Sequence, residues 1–282
     1  MALGEIVNIN VADEKMKDFA MLHLKQAKVN MENIRFHFFP TNDAWCRDHG
    51  PAFLINPEAD VKKVLVKWDY NAWGEKYPPH DLDNQIPIKM AEELEIPCFK
   101  PGIVMEGGAV EFNGKGTLMT SEACLLNENR NPHLKREQIE RYLQDFYGVN
   151  QILWVGDGIV GDDTDGHIDD ITRFVNEDTV VTAVEQNITD ENYKLLQSNL
   201  KRLNKMNLQN GKQLNVVELP MTDPVIWDDQ RLPASYANFY IANHAVFVPT
   251  FRDKKDQQAL DIISYCYHAR KVVGVDSKDI IW

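Results

Sequence analysis

Along the chain, short alternating runs of apolar and polar residues come in pairs. Each pair is followed by a longer stretch with apolar residues three and four apart, then by one more short apolar run. Period two predicts strands and period 3.6 predicts helices, so the recurring pattern is strand, strand, helix, strand. Residues 52–55 and 64–68 form the first predicted hairpin, with a helix over 81–94 and a closing strand over 98–105. The next hairpin, 109–112 and 117–120, turns at Asn113-Gly114, where both residues tolerate positive φ. A helix over 135–146 and a strand over 151–155 complete that unit. Strands 171–175 and 179–184, helix 190–206 and strand 214–219 make the third. Strands 236–241 and 245–249, helix 254–267 and strand 271–275 make the fourth. The start of the chain predicts a strand over 6–11, a helix over 13–29 and a strand over 34–39. That is a fifth unit lacking one hairpin partner. A period of roughly 60 residues is architectural, because no such unit can bury its apolar face alone. No linker rich in Gly, Ser or Pro interrupts it, so residues 1–282 read as one α/β domain.

The polar residues with chemical potential fall at one place in each unit, between a closing strand and the next hairpin. Trp45-Cys46-Arg47-Asp48-His49-Gly50-Pro51 is one such junction and Glu106-Gly107-Gly108 the next. Thr164-Asp165-Gly166-His167-Ile168-Asp169-Asp170 follows, and Trp227-Asp228-Asp229 leads to Arg231. In a ring of repeats, equivalent junctions share one face, so Asp48, Glu106, His167 and Asp169 are expected to converge. Carboxylates flanking a small site can grip a planar guanidinium through charge-assisted hydrogen bonds. A histidine among them can act as acid and then as base. On an extended backbone, His167 and Asp169 would share a face. Trp45 and Trp227 are candidates to wall a flat cation.

Net charge sharpens this picture. At −13 over 282 residues, the chain lacks the basic face that a nucleic-acid partner needs, while an acidic field attracts cations. The four cysteines, Cys46, Cys98, Cys124 and Cys266, are scattered, without a CxxC pair. That usage reads as cytoplasmic with reduced thiols, and no apolar run approaches a membrane span. The aspartates at 162, 163, 165 and 170 miss the EF-hand spacing, so no metal is expected there. They read as a solvated acidic loop, with Asp165 near a substrate amine. Cys46 reads as a packing residue, as do Cys98 and Cys124.

Five motifs carry a family resemblance: WCRDHGP at 45–51, EGGAVEFNGKGT at 106–117, CLLNENRNP at 124–132, TDGHIDD at 164–170 and LPASYANFYI at 232–241. Together they resemble the agmatine deiminases, in the Porphyromonas-type peptidyl-arginine deiminase family of the pentein guanidine-modifying superfamily. The resemblance implies a pentein-type α/β propeller of five ββαβ units, with the unit holding both termini incomplete. It implies hydrolysis of agmatine to N-carbamoylputrescine and ammonia through a cysteine thiouronium intermediate, without metal or organic cofactor. By motif, Asp48 and Asp169 would bind the guanidinium, His167 would protonate the leaving ammonia and then activate water, and Glu106 would hold the histidine side. The family's nucleophilic cysteine lies in a G-G-x-x-x-H-C stretch after a segment like residues 275–282. The opening strand of the family's first blade is also absent. The expectation is therefore a chain truncated at both ends and inactive as it stands. Two rivals remain: a deiminase of free or peptidyl arginine, for which Arg47, Arg173 or Arg231 could meet a carboxylate, and a non-catalytic pentein binding module. The expected partner is a small cationic guanidine, with neither nucleic acid nor membrane; homo-oligomerisation is left open.

Overall fold

The repeat is present strand by strand. The structure, a computed structural model, describes residues 1–281. Sixteen strands occur among them: β1 (Val7–Asn10), β2 (Ile34–His37), β3 (Ala52–Ile55), β4 (Lys63–Val66), β5 (Cys98–Phe99), β6 (Glu111–Phe112), β7 (Thr117–Ser121), β8 (Gln151–Val155), β9 (Thr172–Phe174), β10 (Thr179–Val184), β11 (Asn215–Pro220), β12 (Ile226–Trp227), β13 (Gln230–Arg231), β14 (Tyr240–Ile241), β15 (Ala245–Thr250) and β16 (Lys271–Asp276). The α-helical segments are α1 (Glu14–Gln26), α2 (Cys46–His49), α3 (Ala72–Glu75), α4 (Ile86–Glu93), α5 (Glu122–Leu125), α6 (Arg136–Tyr147), α7 (Asn192–Leu203) and α8 (Asp256–Cys266).

Four three-stranded sheets share one plan: β3-β4-β5, β6-β7-β8, β9-β10-β11 and β14-β15-β16. In each, the middle strand is antiparallel to the first and parallel to the third, as a hairpin followed by a helical crossover requires. β1 and β2 pair in parallel across α1, the same plan without its first strand. This is a mixed α/β architecture of repeated ββαβ units, with β1 and β2 lacking a hairpin partner.

By their contacts the residues gather into two compact units. The first comprises 1–107 with 242–244; the second comprises 108–241 with the residues from 245 onward. The first holds β1-β2 and β3-β4-β5. The second holds the other three ββαβ sheets and two apolar clusters. One cluster joins Met119, Val155, Ile168, Ile171, Val180 and Leu196; the other joins Val181, Leu219, Tyr236, Phe239, Val246 and Ile263. β7 is buried throughout, and so is β10 apart from its first residue, as middle strands covered on both faces must be.

Several predicted strands are shorter than expected, the one over 109–112 pairing only at Glu111–Phe112 and two others for a visible reason. The strand over 98–105 stops at Phe99, because Pro101 has no N–H to donate and Gly102 turns at φ +78°. Pairing resumes only as an isolated bridge from Val104 to Asp69. Of the strand over 236–241, only Tyr240–Ile241 pairs with β15. The preceding segment curls, with Phe239 N–H donating to Ala237 O and Asn238 N–H to Ser235 O. One hairpin was not foreseen: β12 and β13 turn through Asp228 and Asp229, at φ +47° and +60°. No helix among the described residues is long and apolar enough to cross a membrane.

Candidate functional site

In the first unit, the 41–51 junction is fixed before it delivers any chemistry. Asp83 Oδ1 accepts from the N–H groups of Asn42 (2.8 Å) and Asp43 (3.3 Å). Asn42 Oδ1 accepts in return from Leu82 (2.7 Å) and Asp83 (3.2 Å). The chain then makes the single turn α2, which buries Asp48 and His49 and leaves Trp45, Cys46 and Arg47 on the surface. Asp48 Oδ2 accepts from Trp73 Nε1 at 3.2 Å. Trp73 meets Trp45 edge-on at 5.3 Å between ring centroids, and Tyr70 at 6.0 Å. The sequence reading missed Trp73. It sits in α3, where Ala72, Trp73, Gly74 and Glu75 all have positive φ, between +48° and +89°. Each non-glycine residue there costs on the order of 1–3 kcal/mol, strain of the kind that collects at working sites.

Glu106 is fully buried in this unit. The glycine after it permits a close approach: a Cβ on Gly107 would lie 2.0 Å from the Arg47 carbonyl oxygen. Burial, and then the charges of Asp48, Asp83, Glu106 and Asp43, hold the Tyr70 phenol protonated far above its ordinary range. His49 faces Asp83 at 3.9 Å, yet burial outweighs the carboxylates and lowers its pKa, so the imidazole is neutral at pH 7. The unit therefore presents buried carboxylates among indole and phenol rings, which suits a flat cation.

In the second unit, His167 and Asp169 are both 2 % exposed. The backbone here is not extended. His167 caps a 3-10 turn over Ile168–Asp170, so alternation along a strand does not set their directions. The turn is anchored in the core by Ile168 and Ile171, both fully buried. The aspartates around it are not a solvated loop either; only Asp163 is exposed. Asp162 accepts hydrogen bonds from the backbone of residues 164, 166 and 167. Asp165 Oδ2, expected near a substrate amine, accepts from Arg130 Nη1 (2.8 Å) and Asn129 Nδ2 (2.9 Å). Such local donors outcompete water for a short acidic side chain.

Asp170 is buried too. Desolvation, and then the charges of Asp169 and Asp162, push its pKa well above the carboxylate range, while Asn238 Nδ2, donating to Oδ1 at 2.8 Å, pulls the other way. Its folded pKa thus exceeds its unfolded one. The associated stability is complete below about pH 4 and is lost as pH rises through the folded pKa. Asp170→Asn keeps the oxygen that Asn238 meets and removes this loss. Thermal melts should show the variant near the parent at pH 4 and gaining on it up to pH 8. A variant destabilised equally at every pH would contradict the assignment.

The arginines that could serve a substrate carboxylate are placed unequally. Arg173 is buried over the Phe239 ring; its Nε donates to Glu111 Oε2 at 2.7 Å and its Nη1 to the carbonyls of Ala237 and Phe239. Arg231 Nη1 donates to Asp190 Oδ1 at 2.8 Å. Trp227 stands 64 % exposed on the β12–β13 hairpin. Cys46 is exposed and Cys124 fully buried, with Sγ within 4.8 Å of a ligand atom of His167. Burial raises the thiol pKa of Cys98 and Cys266.

Comparison with known proteins gives a consistent set. The profile of the Porphyromonas-type peptidyl-arginine deiminase family matches residues 1–282. An agmatine deiminase of Pseudomonas syringae pv. tomato is 34 % identical over 279 residues, covering 91 % of this chain and 75 % of its own. Among solved structures, the C. jejuni agmatine deiminase with substrate bound superposes at a TM-score of 0.88 with 32 % identity, over 99 % of this chain and 79 % of the other. The Enterococcus faecalis agmatine deiminase gives 0.89 with 30 % identity, over 99 % and 80 %.

Proposed function

Because the chain belongs to the Porphyromonas-type peptidyl-arginine deiminase family, as a hydrolase related to the agmatine deiminases, we propose that its substrate is agmatine and its products N-carbamoylputrescine and ammonia. The observation that favours agmatine over arginine is the state of Arg173 and Arg231, two of the three arginines that could meet a carboxylate; the third, Arg47, lies on the surface beside Asp48. The former two are already committed to Glu111 and Asp190, so neither is spare for an α-carboxylate. Agmatine has no carboxylate and needs no such partner.

In the proposed reaction, Asp48 and Asp169 accept hydrogen bonds from the guanidinium nitrogens, with Glu106 on the histidine side and Trp45 beside Asp48. The thiolate of the cysteine that the family carries in its G-G-x-x-x-H-C stretch adds to the guanidinium carbon. The C–N bond to one nitrogen breaks, and His167 delivers the proton with which ammonia leaves. Water then adds to the thiouronium carbon, His167 takes its proton, and the C–S bond breaks to release the ureido product and the thiolate. The protein supplies charge and proton transfer to this sequence without a metal. Cys124 is fully buried, Cys98 and Cys266 hold their thiols protonated, and Cys46 lies on the surface, so the thiolate is assigned to none of them.

The test is ammonia and ureido-product release by a chain that carries the family's G-G-x-x-x-H-C stretch after a segment like residues 275–282, given agmatine, free arginine or a peptidyl arginine. Agmatine should be preferred by at least about tenfold in kcat/KM, and Asp48→Ala should remove most of that rate by weakening guanidinium binding. Equal or faster release from arginine would sink the substrate assignment.

A further inference from the structure

His167 is presented by a loop that its own neighbours tie down at nearly every peptide. Asp165 and Gly166 lie at φ +65° and +97°, so two successive left-handed residues set the direction in which the chain reaches His167. Such a corner is soft unless something holds it. The Asp162 carboxylate does so on one side: Oδ2 accepts from the N–H groups of Gly166 (3.0 Å) and His167 (3.2 Å), and Oδ1 from Thr164 N–H (2.8 Å). The Thr164 hydroxyl donates to Asp162 Oδ1 and accepts from His167 N–H at 3.2 Å.

Arg130, whose side chain is fully buried, holds the other side. Its Nη1 donates to Asp165 Oδ2 at 2.8 Å and its Nη2 to the Thr164 carbonyl at 2.9 Å. Behind the corner Gly158 and Gly166 pack back to back, so that a Cβ on Gly158 would lie 2.4 Å from Gly166 Cα. The Ser121 hydroxyl donates to the Gly166 carbonyl. A planar guanidinium with two parallel donors and a carboxylate with several acceptor sites each fix orientation as well as distance.

We infer that Asp162, Thr164 and Arg130 are positioning residues for His167, aiming the imidazole through its backbone rather than touching substrate. The inference rests on the proposed role of His167 as acid and base. It also gives Asp165 a purpose other than substrate contact, as the arm by which Arg130 grips the corner. An imidazole displaced by about an ångström loses roughly 10²-fold in rate while substrate binding is spared.

The decisive pair is Thr164→Val, nearly isosteric but without the hydroxyl, and Thr164→Ser, which keeps the hydroxyl and loses the methyl. In the whole protein acting on agmatine, Thr164→Val should lower kcat by about 10- to 100-fold with KM within about twofold, and Thr164→Ser should stay within about threefold of the parent. The NMR signal of the His167 Cε1 proton, identified by its loss in His167→Gln, reads the same geometry without turnover. It should shift or broaden in Thr164→Val and in Asp162→Asn, and stay in place in Thr164→Ser. If Asp162→Asn does not fold, the Thr164 pair decides alone. A folded Thr164→Val with the parent's resonance and kcat overturns the inference, as does equal loss in both Thr164 variants. If a parent chain that carries the family's nucleophilic cysteine turns over no agmatine, the proposed function fails, and the resonance arm still decides this one.

Discussion

His167→Ala should lower agmatine hydrolysis by about 10²–10⁴-fold, the range for losing a positioned general acid and base. The proposed reaction uses this imidazole twice, to protonate departing ammonia and to deprotonate water, so both half-reactions suffer. The substitution leaves the backbone anchorage in place. The backbone of residue 167 is held through its N–H by Asp162 and Thr164, and those bonds survive in alanine. The 3-10 turn behind it is seated by Ile168 and Ile171, which are untouched. A stable fold with nearly unchanged KM is therefore expected beside the lost kcat. Steady-state kinetics on a variant whose circular dichroism and melting match the parent provide the check. Full activity in that folded protein would remove His167 from the mechanism.

The repeat was legible because each ββαβ unit writes two periods in fixed order, and Asn113-Gly114 marks a turn with its own chemistry. Gly114 takes φ +69°, and Asn113 Oδ1 accepts from the N–H groups of residues 115 and 117. The position of the candidate residues Asp48, Glu106, His167 and Asp169 at unit junctions was legible for the same reason. What they rest against was not. Only Gly74 advertises the left-handed run of α3, while Ala72, Trp73 and Glu75 adopt it against their own preference. No periodicity could announce that Trp73 donates to Asp48, 25 positions earlier. The acidic loop was misread because its composition is that of a solvated surface. Its charges are satisfied instead by Arg130, Asn129 and local backbone N–H groups, which sequence spacing does not reveal. Likewise Arg173 and Arg231 looked available until their carboxylate partners were located, and that finding favours the substrate proposed.

Gly107→Ala should be the most damaging small change in the first unit. The glycine is required by proximity, not by conformational freedom. A Cβ at this position would lie 2.0 Å from the Arg47 carbonyl oxygen and 3.1 Å from its carbon, and a backbone carbonyl cannot swing aside as a side-chain tip can. Relief demands that the 106–107 segment and α2 move apart, at a cost of about 1–3 kcal/mol. Those two segments carry the buried carboxylates Glu106 and Asp48, so the displacement is spent where the guanidinium would be gripped. An ångström there should lower turnover by about 10²-fold in the protein that remains folded. Gly114→Ala supplies the contrast. It adds a methyl at φ +69° with nothing within 4 Å, on an exposed hairpin turn. It should lose about 1 kcal/mol through backbone strain and keep its activity. Thermal melts and kcat/KM on the two variants separate the effects. If Gly107→Ala melts and turns over like the parent, the approach of α2 to the Glu106 segment is not what shapes the carboxylate half of the site. If both variants lose stability but only Gly107→Ala loses turnover, the glycine after Glu106 is there to bring the two acids to their working distance.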